Sequence, residues 1–155
     1  PIYFIKVINA HVDTDDRNLT FNFTSDGSNF NVTKTTTNFR AVHQENGSNA
    51  AVAYRTAADL AQSTGEQALT ESLLGGSSNA DGSSCAELII FNPSDTTFVK
   101  HFLTRSAGMM AGQGSESVYV SGYCNTTSAI TGIRISASSS ATIDGTFKLY
   151  GIKDS

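Results

Sequence analysis

Tryptophan is absent from this chain, proline, cysteine and methionine occur twice each, and charged residues make up only 15% of it. Each shortage excludes something. Without Trp the chain lacks the strongest platform for stacking a sugar, although Tyr3, Tyr54, Tyr119, Tyr123 and Tyr150 are available for weaker stacking. The two cysteines, Cys85 and Cys124, stand alone and distant from each other, so neither a zinc ribbon nor a redox Cys-x-x-Cys can form. They read as buried free thiols, with a disulfide between them the less favoured alternative. No run approaches the roughly 18 apolar residues of a spanning helix, and Lys6 interrupts the longest, Ile2 to Ile8. Membrane insertion is therefore not expected. No secretory leader pattern is present, and a start at Pro1 fits loss of an initiator Met or processing, two alternatives left open.

Positive charge is scarce too. Ten Lys and Arg against fourteen Asp and Glu give a net charge of -4, and the basic residues are scattered singly. No stripe can neutralise several phosphates, which argues against nucleic acid as a partner. His11, His43 and His101 show no metal-ligand spacing. The run Asp13-x-Asp15-Asp16 invites calcium, but an EF-hand loop starting there needs Gly and Glu where the chain has Asn18 and Thr24. A weaker carboxylate site and a merely solvated acidic turn both stay open. No Gly-x-Ser-x-Gly occurs, and Gly112-Gln113-Gly114 lacks the third glycine and strand context of a dinucleotide loop. No catalytic residue, metal or cofactor is assigned, and the chain is read as non-enzymatic. A glycan hydrolase, which needs two carboxylates flanking a cleft, is a distant third choice.

What the sequence has in quantity is Ser, Thr, Asn and Gly between short apolar runs. Ile2 to Ile8 reads as a buried strand, and Leu19-Thr-Phe21-Asn-Phe23-Thr24 alternates cleanly. A turn at Ser25 to Ser28 then predicts a hairpin with Phe30 to Thr33, and Asn46-Gly47 predicts one between Phe39 to His43 and Ala51 to Arg55. The capping-box spacing Ser63 to Glu66, with Ala68, Leu69 and Leu73 at helical offsets, predicts one short helix near 64–74. Gly75 to Ser84 reads as an exposed loop. Ala86 to Phe91 and Thr97 to Phe102 read as partners across a turn at Ser94-Asp95. Ser117 to Tyr123, Ile130 to Ser136 and Thr146 to Ile152 complete nine or ten short strands with regular turns. The fold class is all-β: a two-sheet antiparallel β-sandwich, jelly-roll-like, with one domain over residues 1–155.

The segment Ala107 to Ser115 reads as a mobile tip projecting from the sandwich, with the chain's two methionines side by side. Met109, Met110, Gly112 and Gln113 are the candidate partner-contact residues. Five Asn-x-Ser/Thr sequons, at Asn18, Asn22, Asn31, Asn46 and Asn125, are what this Asn, Ser and Thr content yields by chance.

Four segments carry a family resemblance: Phe21 to Gly27, Glu87 to Pro93, Thr96 to Phe102, and Ala129 through Ile152 with its ending Gly145-Thr-Phe-Lys-Leu-Tyr-Gly-Ile152. Together they resemble small structural proteins of tailed bacteriophage virions, of the marine and cyanophage type. The resemblance implies a jelly-roll-like virion component, assembled in the host cytoplasm and exposed on the particle, either as capsid decoration or in the tail or fibres. It carries no catalytic residues. Copies of the chain are the first expected partners, with a trimer favoured, together with other virion proteins. The alternative is a receptor- or glycan-binding module at a tail or fibre tip.

Overall fold

The computed structural model describes residues 1–76 and 80–153. Ten strands form two packed antiparallel sheets, so the chain is a β-sandwich. The large sheet has seven strands in the order β10 (Ile143–Ile152), β1 (Ile2–Val12), β6 (Ser84–Phe91), β7 (Lys100–Met110), β8 (Gly114–Cys124), β3 (Lys34–Gln44) and β4 (Ala50–Tyr54). The small sheet has three, β5 (Gln67–Ala68), β2 (Leu19–Thr24) and β9 (Gly132–Ala137).

Alternation sets the faces of the large sheet. Along β7 buried and exposed residues alternate without a break from Lys100 to Ala107, so Phe102, Thr104 and Ser106 face inward and His101, Leu103 and Arg105 outward. Strand β2 is different, being buried at all six positions: it has a strand on each side, Phe21 and Phe23 face the large sheet, and Asn22 and Thr24 are bonded by the Thr64–Gly65 chain and the turn at Gly27. Its Phe21 and Phe23 meet Phe102 from the opposite sheet, with all three ring centroids within 5.4–5.5 Å of one another at tilted and edge-on angles. That geometry is the favoured one for aromatic contacts. Gly122 makes room for it: a Cβ there would lie 2.8 Å from the Phe102 ring and 2.7 Å from the Thr36 methyl.

Several sequence expectations meet the structure well. The Asn46-Gly47 hairpin forms, with Val42 opposite Ala51. Strands β6 and β7 pair, Ile90 opposite Phe102, although β7 begins only at Lys100 because Asp95 accepts the Thr97 and Phe98 N–H groups in a turn. Others are corrected. No α-helix occupies 64–74, because backbone donors there are spent on strands: Leu69 and Thr70 donate to Leu19 O, Leu73 to Arg17 O, and Ser63 exchanges two bonds with Lys34. The hairpin of 19–24 with Phe30 to Thr33 is reduced to one backbone bond, Val32 N–H to Phe23 O at 3.3 Å, because β5 takes the same edge of β2 at Thr20 and Phe21 and β9 takes the other, while Phe30 receives the Arg134 guanidinium on its ring face at 4.9 Å. Ala107 to Ser115 is not a long loop but the paired end of a hairpin, in register from Lys100 opposite Cys124 to Met110 opposite Gly114. Part of the Gly75 to Ser84 loop, residues 77–79, lies outside the described residues. Both thiols are free, Cys124 buried as expected, but Cys85 exposed on the outer face of β6.

The aromatic cluster should dominate stability. Replacing Phe21 by Ala should cost about 3–5 kcal/mol in denaturant unfolding, while Phe98→Ser, at a site 71% exposed, should change it by less than about 0.5 kcal/mol. Equal effects would show that the core lies elsewhere.

Candidate interaction surface

The chemistry-bearing side chains do not converge. Among the described residues no group of three His, Cys, Asp or Glu is placed to hold a metal. The acidic turn is engaged in tying loops: Asp13 accepts hydroxyls from Thr14 and Thr142, and Asp15 accepts the Gly75 N–H at 2.7 Å. These bonds hold the Asp13 carboxyl below its ordinary range, the Thr142 hydroxyl contributing most. Gly75 approaches so closely that a Cβ would stand 2.3 Å from the Thr14 carbonyl. His11 contacts the Gly82 carbonyl on its own, far from His43 and His101 in the strand order.

One buried ionic cluster stands out. Glu116 on β8 and Glu71 after β5 share Arg40 of β3, at 3.7 and 3.6 Å, and Arg55 donates to Glu71 at 2.8 and 2.9 Å. Glu116 Oε1 accepts the Glu71 N–H at 2.9 Å, while its Oε2 and Glu71 Oε1 lack a hydrogen-bond partner. Burial outweighs the arginine, so the Glu116 carboxyl is pushed up to about 7. Its role is to fasten the 55–71 segment beneath β3 and β8.

The surface with unmet potential is the opposite flank. Strand β10 is an edge of the large sheet and β9 an edge of the small one. Backbone N–H and C=O groups along such edges are open to pairing with another chain. Side chains add to this. Ten large hydrophobic residues are exposed among the described residues, and four of them, Phe147, Leu149, Tyr150 and Ile152, lie on β10. Register with β1 puts Phe147 and Leu149 opposite Val7 and Ile5, on the inner face, where the small sheet covers them only in part. They border an apolar groove of about 290 Å³ with Ile5, Ile133, Ile135 and Ile143. Tyr150 and Ile152 lie on the outer face, opposite Phe4 and Ile2. A strand that is apolar on both faces usually sits mid-sheet. Here it is an edge.

The residues singled out from the sequence lie elsewhere. Met109 and Met110 end β7, three strands from β10, half-buried, with Met109 backbone bonds to Ser83 and Leu74. Gly112 and Gln113 are exposed in the turn beyond. The structure therefore does not bring this quartet onto the β10 flank. The apolar character of Phe147 to Ile152 was visible in the sequence, but its edge position depends on long-range pairing order. No protein-family model, curated protein or solved structure matches the chain.

The ionic cluster makes a pH-dependent claim. Glu116 binds its proton more tightly folded, near 7, than at its ordinary 4.5, so its contribution is fully present below about pH 4.5 and lost as pH rises toward 7. Glu116→Gln, which keeps an acceptor for the Glu71 N–H, should flatten that decline and raise stability at pH 8 by an amount on the order of 1–3 kcal/mol. Denaturant titrations of both proteins from pH 4 to 8 check it. An unchanged slope would mean the carboxyl stays ionised throughout.

Proposed function

We propose that the chain is a non-enzymatic structural protein of a tailed-phage virion, assembling with copies of itself and with neighbouring virion proteins through the β10 flank. The observation that carries this is an edge strand apolar on both faces beside an uncovered groove, the kind of surface that rarely stays exposed on a lone domain. The resemblance of Phe21 to Gly27, Glu87 to Pro93 and the closing strands to virion proteins supports the same reading. So does a net charge of -4 with few ionic groups, which leaves association to apolar and hydrogen-bonding surface. A closed ring of like subunits, a trimer by preference, satisfies such edges without leaving one open. Capsid decoration and tail or fibre placement are both in keeping with it.

A second reading rests on a different observation. On the outer face Phe39 stacks on Tyr119 with centroids 5.0 Å apart and planes 9° from parallel, and Tyr54 is its cross-strand neighbour. Such an aromatic strip suits a sugar face, which would make the protein a receptor- or glycan-binding module.

Light scattering of the recombinant chain should give an oligomer, and Leu149→Lys combined with Phe147→Lys should give a folded monomer. Mass spectrometry of purified virions then fixes the position: copies on the order of hundreds mean capsid, about a dozen or two mean tail. A wild-type chain that is monomeric at high concentration and absent from particles removes the proposal. Glycan binding abolished by Phe39→Ala would favour the second reading.

A further inference from the structure

Lys34 opens β3, yet its side chain is completely buried, as is that of Lys100 at the start of β7. A buried ammonium is costly unless paired. Lys34 makes no ion pair among the described residues. Its Nζ donates instead to Asn22 Oδ1 on β2 at 2.5 Å and to Val32 O at 2.8 Å. Asn22 is 1% exposed, and its carboxamide is fixed on both sides. Nδ2 donates to Thr64 O at 3.0 Å and Gly65 O at 3.4 Å, and Oδ1 also accepts the Phe23 N–H at 2.9 Å. Because the carbonyl bond is about 1.2 Å long, Asn22 Cγ lies within roughly 3.7 Å of the amine, close to attack distance.

The third member is Glu66, next in the chain to the Gly65 carbonyl that holds Asn22 Nδ2. Its Oε1 pairs with Arg134, while its Oε2 is buried with no hydrogen-bond partner. Glu66 is close enough for its charge to act on Lys34. A buried carboxylate oxygen left without a partner, one residue on from the carbonyl that holds the amide, is an unusual arrangement that calls for a use.

We propose that Lys34 and Asn22 condense into an intramolecular isopeptide bond, Nζ to Cγ, with loss of ammonia and with Glu66 as the proton carrier. The neutral amine attacks Cγ, and the carbonyl electron pair moves to Oδ1, where the Phe23 N–H holds it. Glu66 Oε2 takes one proton from the attacking nitrogen and delivers it to Nδ2. The Cγ–Nδ2 bond then breaks, its electron pair leaving with ammonia, and the carbonyl re-forms. One amine and one primary amide become one secondary amide and ammonia, with Glu66 regenerated and no oxidant needed. Burial favours the start of this sequence, since it lowers Lys34 to about 8 and so brings the neutral amine within reach at physiological pH. The product removes a buried charge and ties β3 of the large sheet to β2 of the small one. Lys100 provides an internal contrast, equally buried but, among the described residues, donating only to Thr126 O at 3.3 Å and to no carboxamide.

Denaturing mass spectrometry of the purified full chain tests this directly. The expected mass is about 17 Da, one ammonia, below that of the sequence, with a cross-linked peptide joining Asn22 and Lys34 on digestion. Lys34→Met and Glu66→Gln should each restore the full mass, and Lys100→Met should not. The melting temperature of the Glu66→Gln protein should fall by about 5–10 °C, as for loss of a covalent tie. A succinimide at Asn46-Gly47 would cost the same mass, but it would survive Lys34→Met. Full mass in the unaltered chain, or a loss that persists in Lys34→Met, overturns the proposal, and the first of these does not depend on any variant folding.

Discussion

A three-stranded sheet spans roughly 10 Å between its outer strands and a seven-stranded one roughly 29 Å, at about 4.8 Å per strand. The small sheet can therefore cover less than half of the large one, and the rest of the structure follows from how the remainder is handled. Directly under the small sheet lies the aromatic cluster of Phe21, Phe23 and Phe102, and there burial is complete. Toward β3 the gap is filled by irregular chain, while β4 beyond it stays exposed along its whole length. The 55–71 segment crosses beneath, donating the Leu60 N–H to Thr36 Oγ1 and joining Ser63 to Lys34 on both backbone groups. On the other side β9 covers β1 but reaches β10 only in part, and among the described residues Phe147 and Leu149 remain partly in the open.

Filling the gap with irregular chain has an electrostatic consequence. Extended segments without a sheet partner need their N–H and C=O groups satisfied by side chains. The structure supplies them from polar residues turned inward: Glu116 for the Glu71 N–H, Asn18 for Ser72, Thr70 for Leu19, and Gln67 bonded to Thr36 and Ala58. This is why so many polar residues, including two lysines and two glutamates, are buried in a chain with few charges. They take the place of the strands that the small sheet lacks, and they leave a few atoms unpaired at the joins, among them Glu66 Oε2 and Glu116 Oε2.

The same division explains what could be read from the sequence. Strands of the large sheet were legible because one face is covered and the other solvated, which imprints alternation on β6, β7 and β8. The stretch 64–74 carries a helical pattern without being a helix because Ser63 does accept the Gly65 N–H, as a cap would, and Leu69 and Leu73 do enter the core. A helix would have buried one side only, whereas residues 67–71 are buried throughout. That fact is tertiary and leaves no periodic trace. The hairpin at Phe30 shrinks to the single Val32 to Phe23 bond for a related reason, since local pattern cannot say that β5 and β9 claim most of β2. The Met109-Met110 pair drew attention by composition, and the β10 flank did not, because an apolar edge strand and an apolar central strand share one pattern. The Lys34 and Asn22 pairing carries no signal in the sequence: Lys34 belongs to no motif, and Asn22 only to a sequon that composition explains.

The two cysteines lead to a practical end. Cys124 sits between Lys34 and Lys100 in the register of β3, β8 and β7, and burial pushes its thiol up to about 12, so it holds almost no thiolate at neutral pH. Cys85 is exposed on the outer face of β6, two strands in from the β10 edge. Each folded chain thus offers one addressable sulfur at a fixed place on its broad face. A single fluorophore or gold cluster attached there would report distances between subunits, and in a particle would mark every copy once, without altering a residue.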